Sequence, residues 1–121
     1  MKKINISEKL KLIQDHWHPR IAGELNGQQI RLVKVQGEFP FHKHDHEDEM
    51  FLVIKGSLIL EFKEKKVDLN EGEFLIVPKG TLHRPIAKEE VELMMFVTAG
   101  NVNTGDLKNE RTLEADSLER I

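Results

Sequence analysis

The chain has 121 residues, 39% hydrophobic and 32% charged, with a formal net charge of -3 and no cysteine. That length sets the expectation of a single domain over residues 1–121, burying roughly two thirds of the surface of its unfolded chain. Slight acidity offers no attraction for nucleic acid or an anionic membrane, and without thiols there is no disulfide, thiolate metal ligand or cysteine nucleophile.

The N-terminal stretch MKKINISEKLKLI lacks the apolar run of a signal peptide. No segment approaches the roughly 18 apolar residues of a transmembrane helix, so a cytoplasmic protein is expected. Ile6, Leu10, Ile13 and Trp17 fall on one helical face, which predicts a short helix with Asn5 and Glu8 capping its start. Pro19 ends that pattern. From Gln29 to Ala99 the runs IRLVKV, MFLVI, LILEF, FLIV and VELMMFV read as strands, rich in β-branched and large apolar residues. Glycines at 27, 37, 56, 72, 80 and 100 punctuate them too closely for crossover helices, which points to an antiparallel all-β sandwich or barrel. Leu58–Phe62 and Val67–Leu69 flank a charged turn as a hairpin, and Asn70–Gly72 leads into the next strand. The tail DLKNERTLEADSLERI is charged and reads as a surface appendage, partly helical through Leu113, Leu118 and Ile121, or as a segment that packs only in an oligomer.

The densest chemistry lies in FHKHDHEDEMFLVIKG, residues 41–56. Side chains of a strand repeat every two residues, so His42 and His44 at the end of one strand share a face. Asp45-His46-Glu47-Asp48 suits a turn better than a strand interior. Glu49 stands an odd number of residues from His44, and one unbroken strand cannot place both on one face. A turn between them resets the register, after which Glu49, Phe51 and Val53 share the inner face of the following strand. His42, His44 and Glu49 can therefore converge, and neutral imidazoles with a carboxylate suit divalent zinc, iron, manganese, nickel or copper. His83 is a fourth candidate, placed just after the tight Pro78-Lys79-Gly80 turn.

Taken together, the two stretches resemble the signature motifs of the cupin superfamily. The first appears as Gly37, His42-x-His44, four residues, Glu49, six residues and Gly56; the second as Gly72, five residues, Pro78-x-Gly80, two residues and His83. Two departures stand out. Four residues rather than five separate Gly37 from His42, and Ala87 occupies a position where the family often has Asn. The resemblance spans about residues 30–98 and implies a double-stranded β-helix, or jelly-roll, barrel with short N- and C-terminal appendages. It further implies that His42, His44, Glu49 and His83 bind one divalent transition metal (Fe, Mn, Ni, Zn or Cu) in the barrel mouth, with His46 excluded. Among such proteins the chain looks most like the small single-domain bacterial type described as mannose-6-phosphate-isomerase-like.

Other residues have plainer readings. His16 and His18 flank Trp17 outside the barrel and are explained by packing or exposure. Glu47 and Asp48 read as a solvated turn, and Arg84 as an outward salt bridge. Phe41, Phe51 and Met95 suit a core, with a pocket lining as the alternative. Three imidazoles and one carboxylate leave coordination positions open, the mark of a catalytic rather than a structural metal. The expectation is a metal-dependent enzyme acting on a small molecule with dioxygenase- or isomerase-like chemistry. The alternative is a non-catalytic binding or sensor barrel. Met50, Leu52 and Ile54, on the face opposite Glu49, call for cover, so a homodimer is expected, with another sheet layer or the N-terminal segment as the alternative.

Overall fold

The computed structural model covers residues 1–121 and holds seven strands and one short α-helix. The helix α1 spans Ile6–Leu10; the strands are β1 Arg20–Leu25, β2 Gln28–Glu38, β3 Glu49–Lys55, β4 Leu58–Phe62, β5 Lys66–Leu69, β6 Phe74–Val77 and β7 His83–Thr98. Every pairing between strands is antiparallel. No helix is long and apolar enough to cross a membrane.

The 16-residue β7 organises the barrel. Along one edge it pairs with β2 almost throughout. Along the other its first part, from His83 to Ile86, pairs with β4, and its later part, from Glu92 to Phe96, pairs with β3. The change of partner coincides with a register slip against β2, where Val35 opposes Val91 but Gly37 opposes Ala87. Extra residues on one strand bend it, and the bend carries β7 from one sheet layer into the other. Between them, β3 turns into β4 at Gly56, whose φ of +95° favours glycine and where a Cβ would meet Glu90 O at 3.0 Å and Val91 Cγ2 at 3.2 Å. This is the all-β jelly-roll arrangement expected from the sequence.

Strand alternation sends one face of each strand inward. Val33 and Val35 of β2, Phe51 and Val53 of β3, Leu58 and Leu60 of β4, and Val91 and Leu93 of β7 belong to one buried cluster. A second cluster lies outside the barrel, where Leu10 and Ile13 cover Leu32 of β2 with Ile54 and Met94 packed against them. The N-terminal segment thus covers part of the outer face of β3. Met50 and Leu52 pair with Ile76 and Phe74 of the edge strand β6, whose side chains remain 52% and 58% exposed.

Three segments differ from the sequence reading. The expected helical face through Trp17 stops at Leu10, although Asn5 does cap it by accepting from Glu8 N–H. So short a helix forms only where tertiary packing supports it, and Trp17, at φ 65°, turns instead onto Phe39, with ring centroids 4.9 Å apart. Strand β1 was not anticipated: Arg20, Gly23 and Glu24 dilute its apolar pattern, and it is an edge strand held to β2. The tail is not a simple appendage. It contains only a 3-10 turn at Ala115–Ser117 and returns to β1 through Ile21 N–H to Glu119 O and Ile121 N–H to Ile21 O, while Asn101 and Thr104 just before it are buried.

Candidate metal centre

Strand β2 ends at Glu38, and Phe39-Pro40 leads into an extended segment that carries His42 and His44. Pro40 has no N–H to continue a ladder. The chain instead makes a single bridge to β7, with His42 N–H to His83 O at 3.0 Å and His83 N–H to His42 O at 2.9 Å. Gly80 N–H donates to His44 O at 2.7 Å, and Asp48 accepts from Lys79 N–H at 2.8 Å. The Pro78-Lys79-Gly80 turn is thereby stitched to the histidine segment. After the exposed bend at Asp45 and His46 the register resets, and Glu49 opens β3 facing inward beside Phe51.

His42, His44, Glu49 and His83 are all buried, and each offers one ligand atom such that all lie within 4.8 Å of one another. Nitrogen and oxygen ligands about 2.0–2.2 Å from an ion sit up to about 4.4 Å apart, so a small contraction seats a divalent metal. The hydrogen bonds orient the rings for it. His42 Nδ1 donates to Pro40 O at 3.0 Å and His83 Nδ1 donates to Thr81 O at 2.8 Å. A carbonyl only accepts, so in the neutral rings both Nε2 atoms carry lone pairs aimed at the centre. His44 Nε2 is the one buried side-chain polar atom without a hydrogen-bond partner; it lies 3.1 Å from Glu49 Oε2 without hydrogen-bond alignment. An orphan of this kind at the meeting point of four ligands is what an ion would satisfy. The residues fit the metal.

Without an ion the site is electrostatically tense. Burial, reinforced by His83, pushes the His42 imidazole down to about 4. Burial also pushes the His44 imidazole down, but Glu49 and Glu47 outweigh it, and its pKa rises above the ordinary value. Burial would raise the pKa of Glu49, yet the close approach of the His44 and His83 imidazoles holds it far below the carboxylate range. The negative Glu49 carboxylate favours a cation among the three imidazoles, where metal and protons compete for the same nitrogens.

His42 and Glu49 line a cavity with about 530 Å³ of empty space, its mouth included. Val33, Val35, Phe51, Leu93 and Val97 supply apolar wall, and Trp17 and Phe39 stand at the rim with the Arg111 guanidinium over both rings. Phe51 and Met95 line the cavity while packing in the core; Phe41 does neither and stacks under Arg84 outside. Arg84 bonds Glu61 at 2.7 Å, the outward salt bridge expected. His46 is exposed and apart from the cluster. His16 pairs with Glu90 on the surface. Glu47 is more than a solvated turn: it accepts from Thr98 Oγ1 at 2.6 Å and lies 3.6 Å from His44 Nδ1.

Sequence reasoning missed Arg31 and Asn101. Both are buried against the cavity, and the Asn101 amide bridges His44 Nδ1 at 3.3 Å and Glu49 Oε2 at 3.4 Å. Arg31 was findable, since it shares the inward parity of Val33 and Val35. Asn101 was not: it lies past the last strand with no periodicity to mark it.

The family described as "Cupin domain" matches residues 29–99. The uncharacterized protein YdbB of Bacillus subtilis (strain 168) is 40% identical over 62 residues, which cover 50% of this chain and 55% of YdbB. The chain therefore spans about half the length of that curated relative. A cupin-2 domain containing protein from Shewanella frigidimarina NCIMB 400 superposes with a TM-score of 0.76 at 43% identity, covering 77% of this chain and 91% of the other. Hydroquinone 1,2-dioxygenase PnpCD, solved with Cd2+ and 4-hydroxybenzonitrile, superposes with a TM-score of 0.66 over 78% of this chain and 71% of its own; at 19% identity this is a likeness of fold alone.

Proposed function

The chain belongs to the cupin domain family, and we propose that it is a metal-dependent enzyme acting on a small molecule inside the barrel. One observation carries this reading: four buried side chains converge, His44 Nε2 among them without a partner, and two of them, His42 and Glu49, line an apolar cavity open to solvent. Bound there, a divalent transition metal would supply Lewis-acid or redox chemistry with coordination positions left for substrate. The chain's own residues do the rest. The Pro40 and Thr81 carbonyls fix the rings of His42 and His83, Glu49 supplies the charge, and the walls around Phe51 and Leu93 hold the substrate away from bulk water.

Dioxygenase-like chemistry is favoured over isomerase-like chemistry. Isomerisation by proton transfer needs a general base within reach of substrate. Beyond His42 and Glu49 the only ionisable group lining the cavity is Arg31, which does not trade protons near neutrality. The same composition weighs against the mannose-6-phosphate-isomerase-like reading. The likeness of fold to a hydroquinone dioxygenase is consistent with this preference.

The test is elemental analysis of the purified protein, followed by reloading with Fe(II), Mn(II), Ni(II) or Zn(II) and a screen of small aromatic and aliphatic substrates. Oxygen uptake with a redox-active metal, absent with zinc and absent in Glu49→Gln, is the expected result. Tight metal binding with no turnover under any metal would favour the non-catalytic binding barrel instead. A protein that binds no divalent ion refutes both.

A further inference from the structure

Arg31 is the only side chain lining the cavity that carries a permanent positive charge, and it is 2% exposed. Its guanidinium is held by neutral acceptors. Nε donates to Gln29 Oε1 at 3.0 Å, Nη1 to Asn101 O at 2.9 Å and Nη2 to Ala99 O at 3.2 Å. Nη1 also reaches Asn101 Oδ1 at 3.5 Å. Of the five N–H groups of a guanidinium, one on Nη2 is left with no acceptor in the chain. No carboxylate forms an ion pair with it, although nine pairs of Lys or Arg with a carboxylate occur elsewhere. The acids nearest in effect are Glu49, which belongs to the metal centre, and Glu47, which is committed to Thr98. A buried charge without a counter-ion is costly, and proteins retain one where something else completes it.

The charge balance points the same way, and here the argument rests on the metal reading above. A divalent ion, the Glu49 carboxylate and Arg31 sum to a surplus of about two positive charges; Glu47, behind His44, leaves about one. The surrounding wall is Val33, Val35, Phe51 and Leu93. We propose that the substrate is a small organic carboxylate, its carboxylate anchored by Arg31 and its apolar body lying along that wall toward the metal. A phosphate ester fits less well. Phosphate sites gather several donors, from a helix N-terminus, a nest of backbone N–H groups or clustered Lys and Arg. The lining of this cavity offers one guanidinium and, in Asn101 and Asn103, two amides, while the Arg111 guanidinium is spent over the Trp17 and Phe39 rings at the rim.

The experiment compares carboxylates with their neutral isosteres. Acetate, butyrate and benzoate, and the matching acetamide, butyramide and benzamide, are titrated into zinc-loaded protein by calorimetry and thermal shift. Zinc content is measured alongside for the parent, Arg31→Gln and Arg31→Lys. Butyrate and benzoate should bind the parent about ten- to a hundredfold more tightly than their amides, the worth of a charge-assisted hydrogen bond. Arg31→Gln should abolish that preference while keeping its zinc. Arg31→Lys, which keeps the charge but loses the fork, should retain part of it. Amides that bind as well as carboxylates, or no carboxylate binding at millimolar concentration, would overturn the proposal from the parent protein alone, whether or not the variants fold. So would a folded, zinc-loaded Arg31→Gln that still prefers carboxylates. A protein that takes up no zinc yet prefers carboxylates through Arg31 refutes the metal reading and leaves the anchor standing.

Discussion

Gly105 is where the tail presses hardest on the metal centre. Its φ is +58°, and an added Cβ would lie 2.8 Å from Lys43 C, closer still to Lys43 O, and 3.2 Å from His42 Cδ2. Lys43 sits between the two histidine ligands, and the adjoining residue clamps it from both sides. Asp106 N–H donates to Lys43 O at 2.9 Å, and Lys43 N–H donates to Asp106 Oδ1 at 3.0 Å. Gly105→Ala would therefore lift this loop off the ligand segment. The left-handed conformation costs a non-glycine residue about 1 kcal/mol, and losing the two clamp bonds costs about 1 kcal/mol each. The sum, about 3 kcal/mol, corresponds to a fall in Tm of roughly 10 °C for a domain of this size. Displacing the backbone beside His42 should also weaken metal binding about ten- to a hundredfold. Urea unfolding of metal-free protein and metal content after dialysis measure the two effects. Asp106→Ala, which removes only the side-chain bond, should cost about 1 kcal/mol. Gly100→Ala, with nothing within 4 Å of the new Cβ, should be nearly neutral. If Gly105→Ala matches the parent within about 0.5 kcal/mol and keeps its metal, the loop does not bear on the ligand segment and the reasoning fails.

His44→Ala should weaken metal retention by more than about a hundredfold, whereas His46→Ala, at an exposed bend, should match the parent on dialysis and elemental analysis. Metal occupancy should fall with decreasing pH. Because the His44 pKa is raised in the metal-free protein, protons compete there before the solution drops to about 6.5, the ordinary imidazole value. The fall therefore begins above the pH of about 6.5 that a free histidine suggests, and calorimetry in two buffers of different ionisation enthalpy should register proton release. Leu32→Ala, which empties a fully buried site beneath Leu10 and Ile13, should cost about 3 kcal/mol in urea unfolding. We expect a homodimer built on the exposed Phe74 and Ile76 face of β6. Light scattering at micromolar concentration should give twice the 14.0 kDa chain mass and Ile76→Lys the chain mass, while a monomeric parent refutes the dimer.

Local sequence determined the barrel strands and the convergence of His42, His44, Glu49 and His83, because both depend on short-range geometry. A period of two sets which face a strand side chain takes, and a polar tetrapeptide followed by Glu49 shifts that period by one. Turn chemistry at Pro78-Lys79-Gly80 then places His83, all within spacings a single chain segment controls. The same parity was available to mark Arg31 as inward, though not to say what it would face, and the reading of the sequence passed over it. Tertiary structure decided the rest. Trp17, Arg31 and Asn101 meet around the cavity from segments some 14 to 84 residues apart, and only closure of β2 onto β7 brings them together. The helix stopped at Leu10 because burial of Leu10 and Ile13 against Leu32, rather than propensity, sustains it. The tail carries no apolar period. Its position comes from hydrogen bonds at Ile21 and Lys43, whose partners lie far along the chain and leave no mark on the residues beside them.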